Sequence, residues 1–178
     1  MKEMIVRAAG MMVAVIVAVA AAVMMMIIPV KAAENYEVYE DVDLSAEEQI
    51  TLQRVCDEDD VCYEFALAMI ESESRFQKDA LGDRGRSVGY FQINKANWQR
   101  WKDKGLDVYE PMDNLQIGVH MLHELAEKYT DPYEVIICYK AGEGRGKKLY
   151  EAGKFKTSQY DCEAICARAA EWERAHKK

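Results

Sequence analysis

An apolar run that breaks off in carboxylates and opens into a glycine-punctuated loop constrains this chain more than any other stretch. Residues 65–93 read FALAMIESESRFQKDALGDRGRSVGYFQI. Phe65, Met69, Ile70 and Phe76 recur at helical spacing with Ala66, Leu67 and Ala68 between them, so the segment predicts a buried helix. It ends on Glu71 and Glu73. Acids are almost never fully buried unless paired, so a carboxylate where a core helix meets a loop needs a reason. Residues two apart on a helix point roughly opposite ways, and only one of the two acids can face a given cleft. Glu71 reads as the solvated helix-end residue. In the loop, Gly82, Gly85 and Gly89 allow backbone shapes that a Cβ resists and permit close approach of a polymeric ligand. The loop closes on the apolar weight of Tyr90, Phe91 and Ile93, with Gln92 among them as a polar group aimed into a pocket.

The front of the chain is different. After Lys2 and Arg7, residues 8–30 carry no charge, which predicts an export signal or a membrane anchor over residues 1–32 rather than part of the fold. The length of the run suits an anchor, whereas Pro29 and the Val30-Lys31-Ala32 site suit cleavage. In either case the positive-inside rule keeps Lys2 and Arg7 in the cytoplasm and makes the remainder extracytoplasmic. Residues 33–44 are acidic without apolar period and read as a tether. The working domain is expected over 45–178.

Within it, Ser45 and Glu48 form a capping box for a short helix carrying Ile50, Leu52 and Val55. The acidic residues 57–60 are expected at the N-terminal end of the following helix, where the dipole favours negative charge. Asn94 can cap a helix bearing Trp98 and Trp101, read as core-packing residues on one face. Asp113 is expected to cap an amphipathic helix with Leu115, Ile117, Val119, Met121, Leu122 and Leu125. Asp131-Pro132 opens another helix, which the glycines at 142 and 144 stop, and a last helix is expected over 157–178.

Three kinds of residue narrow the function. His120 and His123 are one turn apart, but zinc needs a second ligand cluster, so they read as solvated helix-face residues and no metal or cofactor is expected. Five cysteines leave at least one thiol over even in an exported domain, and none has a histidine beside it at catalytic spacing. Cys138 reads as a small buried hydrophobe. Without residues 1–32 the chain has 20 basic and 30 acidic residues, a balance that repels nucleic acid and anionic membranes and leaves polysaccharide compatible.

Four motifs in order resemble those of the lytic transglycosylase catalytic domain: Glu73-Ser74-Arg75-Phe76; Gly85 to Gly89 with Tyr90-Phe91-Gln92-Ile93; Asn114 with Gly118; and Tyr139-Lys140-Ala141-Gly142. The likeness spans residues 61–145. It implies a mainly α, lysozyme-like domain with a Gly-rich active-site loop, acting as a monomer on peptidoglycan glycan strands. Glu73 takes the place of the catalytic acid, and Ser74, Gly89, Tyr90, Gln92, Tyr139 and Lys140 fall at substrate-contact positions. Lys140 departs from the family, which usually has asparagine there; an ammonium cannot accept a hydrogen bond as an amide can, but it could bind a lactyl or peptide-stem carboxylate.

A glycosidase acid must stay protonated near neutrality, which burial against apolar groups favours, and ordinary hydrolases add a second carboxylate. None lies in a matching motif. The resemblance supplies a single-acid route, in which the C6 hydroxyl of N-acetylmuramic acid (MurNAc) attacks its own C1, cleaving the bond to N-acetylglucosamine (GlcNAc) and forming a 1,6-anhydro sugar. A lysozyme-type hydrolase and a non-catalytic wall-binding module are the alternatives.

Overall fold

The computed structural model describes residues 36–177. The chain divides into two units, Met1–Glu37 and Val38–Lys178, and the account below concerns the second. The signal or anchor expected over 1–32 lies outside the described residues. Among the described residues no helix is long and apolar enough to cross a membrane.

Helix α1 (Ala46–Glu58) starts on the expected capping box: the Ser45 hydroxyl accepts from the Glu48 amide, and the Glu48 carboxylate accepts from the Ser45 amide at 2.8 Å. Helix α2 (Tyr63–Ser74) buries five consecutive residues, Ala66 to Ile70, because neighbours cover it on several sides. Full burial of each of Leu67, Met69 and Ile70 contributes about 1.5–3 kcal/mol. Three two-residue strands follow, β1 (Leu81–Gly82), β2 (Ser87–Val88) and β3 (Ile93–Asn94), antiparallel in the order β1-β2-β3, with Val88 opposite both Leu81 and Ile93. A 3-10 turn (Lys95–Asn97), capped by the Asn94 side chain, leads into α3 (Trp98–Lys102).

Helix α4 (Pro111–Ala126) buries Leu115, Ile117, Val119, Leu122 and Leu125 and packs on α1. Helix α5 (Pro132–Ala141) begins as expected, with Asp131 accepting from the Tyr133 amide and Pro132 in the first turn. It ends at Gly142, whose φ of +77° a residue with a Cβ would resist. Helix α6 (Glu143–Glu151) then folds back on α5, and α7 (Cys162–His176) closes over α2. The domain is mainly α.

Several local expectations change. Asp57 and Glu58 end α1 instead of beginning α2, and Asp59 is that helix's C-cap. The Asp59 carboxylate pairs with the His120 ring, which also stacks on Trp101, so His120 is held in packing and not solvated. Glu110, not Asp113, occupies the N-cap of α4; the Asp113 carboxylate instead accepts from the Asp107 amide at 2.8 Å. The last helix begins five residues later than expected, because residues 156–161 form a small bridge and Asp161 caps α7. Trp101 is in the core, whereas Trp98 is half-buried and lines an open cavity of about 610 Å³ with Leu106 and Tyr109. The tether expected over 33–44 is packed in its second half: Val42 and Leu44 are buried, and the buried Gln49 amide donates to the carbonyls of Tyr39, Val42 and Leu44.

Candidate active site

Glu73 stands in the last turn of α2. Past it, Arg75 and Phe76 both take left-handed φ, +54° and +59°, so the chain leaves the helix abruptly. Such conformations cost of order 1 kcal/mol or more each in residues with a Cβ and persist where surrounding structure holds them. Here the Arg75 amide donates to Glu71 O at 3.0 Å and the Phe76 ring meets Trp172 edge-on.

The side chain of Glu73 is 15% exposed, and Lys140, at the end of α5, places its Nζ 3.2 Å from Glu73 Oε1. Lys140 is more deeply covered, at 5% exposure, and also donates to Ser72 O at 3.4 Å. Burial pushes the Glu73 carboxyl above its ordinary range, and the Lys140 ammonium opposes that rise without cancelling it. The neighbouring Tyr139 phenol is driven well above its usual value, chiefly by burial and further by the charge of Glu73, and is neutral. Its hydroxyl donates to Phe91 O at 2.9 Å. An acid with a raised pKa, a neutral phenol and one ammonium therefore meet where α2, α5 and the loop after β2 converge. The arrangement can deliver and recover a proton.

The other residues expected at the site brace this meeting point. Ser74 is buried and turns its hydroxyl back onto Ile70 O at 3.2 Å, which satisfies the helix end and removes it from any cleft. Tyr90 is buried and donates to Glu48 Oε1 at 2.7 Å, tying the loop to α1. Gly89 has φ of +76°, and a Cβ there would come 2.3 Å from the Asn114 amide; its close neighbour is thus the protein itself. Gln92 does not point into an open pocket: its Nε2 donates to Ala80 O at 3.0 Å and Gly89 O at 2.9 Å, lacing the loop. Of the seven positions, Glu73, Tyr139 and Lys140 come together. Ser74, Gly89, Tyr90 and Gln92 serve the scaffold.

Asn114, from the third of the four motifs, holds the loop. Its Oδ1 accepts from the Phe91 amide at 3.0 Å while its Nδ2 donates to Val88 O and Val108 O at 3.1 and 2.8 Å. All three bonds are buried, and the Phe91 carbonyl they steady is the one that receives Tyr139. Gly118 completes the seat: a Cβ there would lie 2.0 Å from the Phe91 ring. A glycine inside an amphipathic helix costs up to about 1 kcal/mol against alanine, and that is the sequence signal that something packs against it.

Glu71, two residues before Glu73, faces the other way. It accepts from Arg168 Nε at 2.7 Å and Trp172 Nε1 at 3.3 Å, both on α7. The 610 Å³ cavity has neither Glu73 nor Tyr139 in its lining. Among the described residues no three or more His, Cys, Asp or Glu gather as metal ligands, and all five cysteines are free.

The class this geometry defines is a lysozyme-like helical domain with one acid at the seam between helix and loop. A solved structure with the same fold is that of the inactive mutant of the lytic transglycosylase Slt from Pseudomonas aeruginosa, at a TM-score of 0.61 and 17% identity. The match covers 70% of this chain but only 24% of that one. No curated protein matches. The transglycosylase SLT domain model matches residues 53–161, more than half of the chain, and the chain belongs to that family.

Proposed function

We propose that this protein is a peptidoglycan lytic transglycosylase that cleaves the β-1,4 bond between MurNAc and GlcNAc with Glu73 as its single acid and base. The observation that carries this reading is a buried carboxyl with a raised pKa beside Tyr139, in a chain of the transglycosylase SLT domain family. Protonated Glu73 donates to the departing glycosidic oxygen as the C1–O bond breaks. The resulting carboxylate then takes the proton of the C6 hydroxyl as that oxygen bonds to C1. The products are a free GlcNAc hydroxyl and a 1,6-anhydro-MurNAc end, and no water is consumed. An internal hydroxyl already held near C1 has the effective concentration that makes a second carboxylate unnecessary. The raised pKa matters because a general acid must still hold its proton at working pH.

Soluble fragments from purified sacculi, analysed by mass spectrometry, test the reading. Anhydro ends, one water lighter than reducing ends, are expected from the parent, and none from Glu73→Gln. Reducing ends would make the enzyme a hydrolase, and unchanged turnover by Glu73→Gln would remove Glu73 from the chemistry. The lytic transglycosylase from Pseudomonas aeruginosa was itself solved as an inactive Glu-to-Gln mutant. We place the site outside the cytoplasmic membrane, because residues 8–30 are uncharged and follow Lys2 and Arg7. Recovery of the protein in a cytosolic fraction would overturn that placement.

A further inference from the structure

We propose that Lys140 is a latch on Glu73 that answers to carboxylates: it pairs with the acid in the free protein, and a carboxylate of the bound glycan strand draws it off. This rests on the reading of Glu73 as the acid. The geometry sets the problem. An ammonium 3.2 Å from Oε1 favours the ionised carboxylate and works against the burial that raises this acid, yet the first step needs that oxygen protonated. The conflict disappears if the cation leaves when substrate arrives.

Lys140 is suited to leave. Its contacts, 3.2 Å to Glu73 and 3.4 Å to Ser72 O, are long beside the 2.7 Å of Arg168 on Glu71 or the 2.9 Å of Lys128 on Glu143. Charge-assisted N–H···O bonds usually measure about 2.7–2.9 Å, so the ammonium is held loosely. Lysine carries a compact charge on a flexible four-carbon stem and can swing without moving backbone. Other charges do not take over its part. From α2, Glu71 is turned to Arg168 on α7; from α5, Tyr139 is kept neutral by burial and bonded to Phe91 O. Lys140 is the charge that acts on Glu73.

The chemistry that would recruit it is a carboxylate. A muramyl strand offers one on the stem peptide or, once the peptide is removed, on the lactyl ether. The chain as a whole carries a formal charge of −8, so an anion gains from meeting a cation placed beside the acid. Lys140 exchanges one carboxylate for another. Glu73, relieved of its counter-charge, takes up a proton from solvent and is ready to donate it. The latch thus makes the acid a better proton donor on strands that carry the anion.

The test compares pH profiles on soluble glycan strands in three forms: intact, with carboxylates converted to amides by carbodiimide and ammonia, and stripped of peptide by an amidase. kcat/KM reports the free enzyme and kcat the complex. Activity of the acid is lost as pH rises through its pKa, so on intact strands the alkaline limb of kcat/KM should lie below that of kcat by about 1 pH unit or more. Amidation should lower kcat/KM at least about tenfold, the equivalent of one such unit. K140N and K140M should bring the two limbs together at the higher pH and treat intact and amidated strands alike within about twofold, while K140R keeps the parental pattern. Retention of the split on stripped strands names the lactyl carboxylate as the trigger, and its loss names the stem.

Coincident limbs in the parent protein, or equal rates on intact and amidated strands, overturn the latch without any variant having to fold. A split that survives in K140M overturns it as well. If the parent releases soluble anhydro products but shows none of these patterns, the latch alone fails. If it releases nothing from any strand, the reading of Glu73 fails with it.

Discussion

Glu71 and Glu73 are two residues apart on α2, and each meets one basic side chain across a helix seam: Arg168 of α7 at 2.7 Å and Lys140 of α5 at 3.2 Å. At the first seam both partners are more than a third exposed, at 38% and 35%; at the second they are 5% and 15% exposed. Exposed pairs of this kind are worth about 0.2–1 kcal/mol, because water already solvates both charges. The covered pair is different. Desolvation there pushes the Glu73 carboxyl upward against its own counter-ion. The comparison teaches that a basic neighbour does not decide what an acid can do; the amount of water removed around the two decides it. The exposed seam fastens a helix, and the covered one sets how readily an acid holds a proton.

The comparison breaks most sharply at Glu73 itself. Glu73→Gln should lower release of soluble fragments by about 10²–10⁴-fold, the usual contribution of a general acid, measured on purified sacculi. It also leaves Lys140 covered without a counter-charge, at a cost of up to about 3 kcal/mol in thermal or urea unfolding. E73Q/K140M should regain that stability and none of the activity. Next in size is Asn114→Ala, which strands the Phe91 amide and two carbonyls and should cost about 2–4 kcal/mol, with activity falling as the Phe91 loop loosens. Gly118→Ala should cost about 1–3 kcal/mol by crowding the Phe91 ring, seen as a lower unfolding midpoint. Smallest is Glu71→Gln: at most about 1 kcal/mol lost, and turnover within twofold of the parent. A large activity loss in Glu71→Gln would erase the distinction between the seams.

Local chemistry was legible in the sequence. The Ser45–Glu48 capping box and the Asp131-Pro132 start are written within four residues and appear as expected. The burial of α2 and the opposite facing of its two acids followed from spacing alone. Contacts across long separations were not legible. Tyr90 on Glu48, Arg168 on Glu71 and Asn114 on the Phe91 amide join residues 42, 97 and 23 positions apart, and no local pattern announces them. Helix α6 was hidden for a related reason. Gly142 and Gly144 read as a helix stop, and Gly146 also depresses helix propensity. Yet a Cβ at Gly146 would come 2.6 Å from Cys138 Cα, and the glycine is there to let α6 lie against α5. Packing overrode propensity. Gln92 laces the loop by giving its Nε2 to the Ala80 and Gly89 carbonyls, two contacts that no local pattern announces.

The Gln49 clamp sets where this unit can be trimmed. Its side chain accepts from the Tyr39 amide at 2.8 Å and gives its own N–H groups to carbonyls of the incoming strap, while Val42 and Leu44 fill the space beside it. A shortened chain starting at Ser45 would open a greasy slot and abandon a buried amide. Removal of residues 39–44 is therefore expected to lower the unfolding midpoint of the unit.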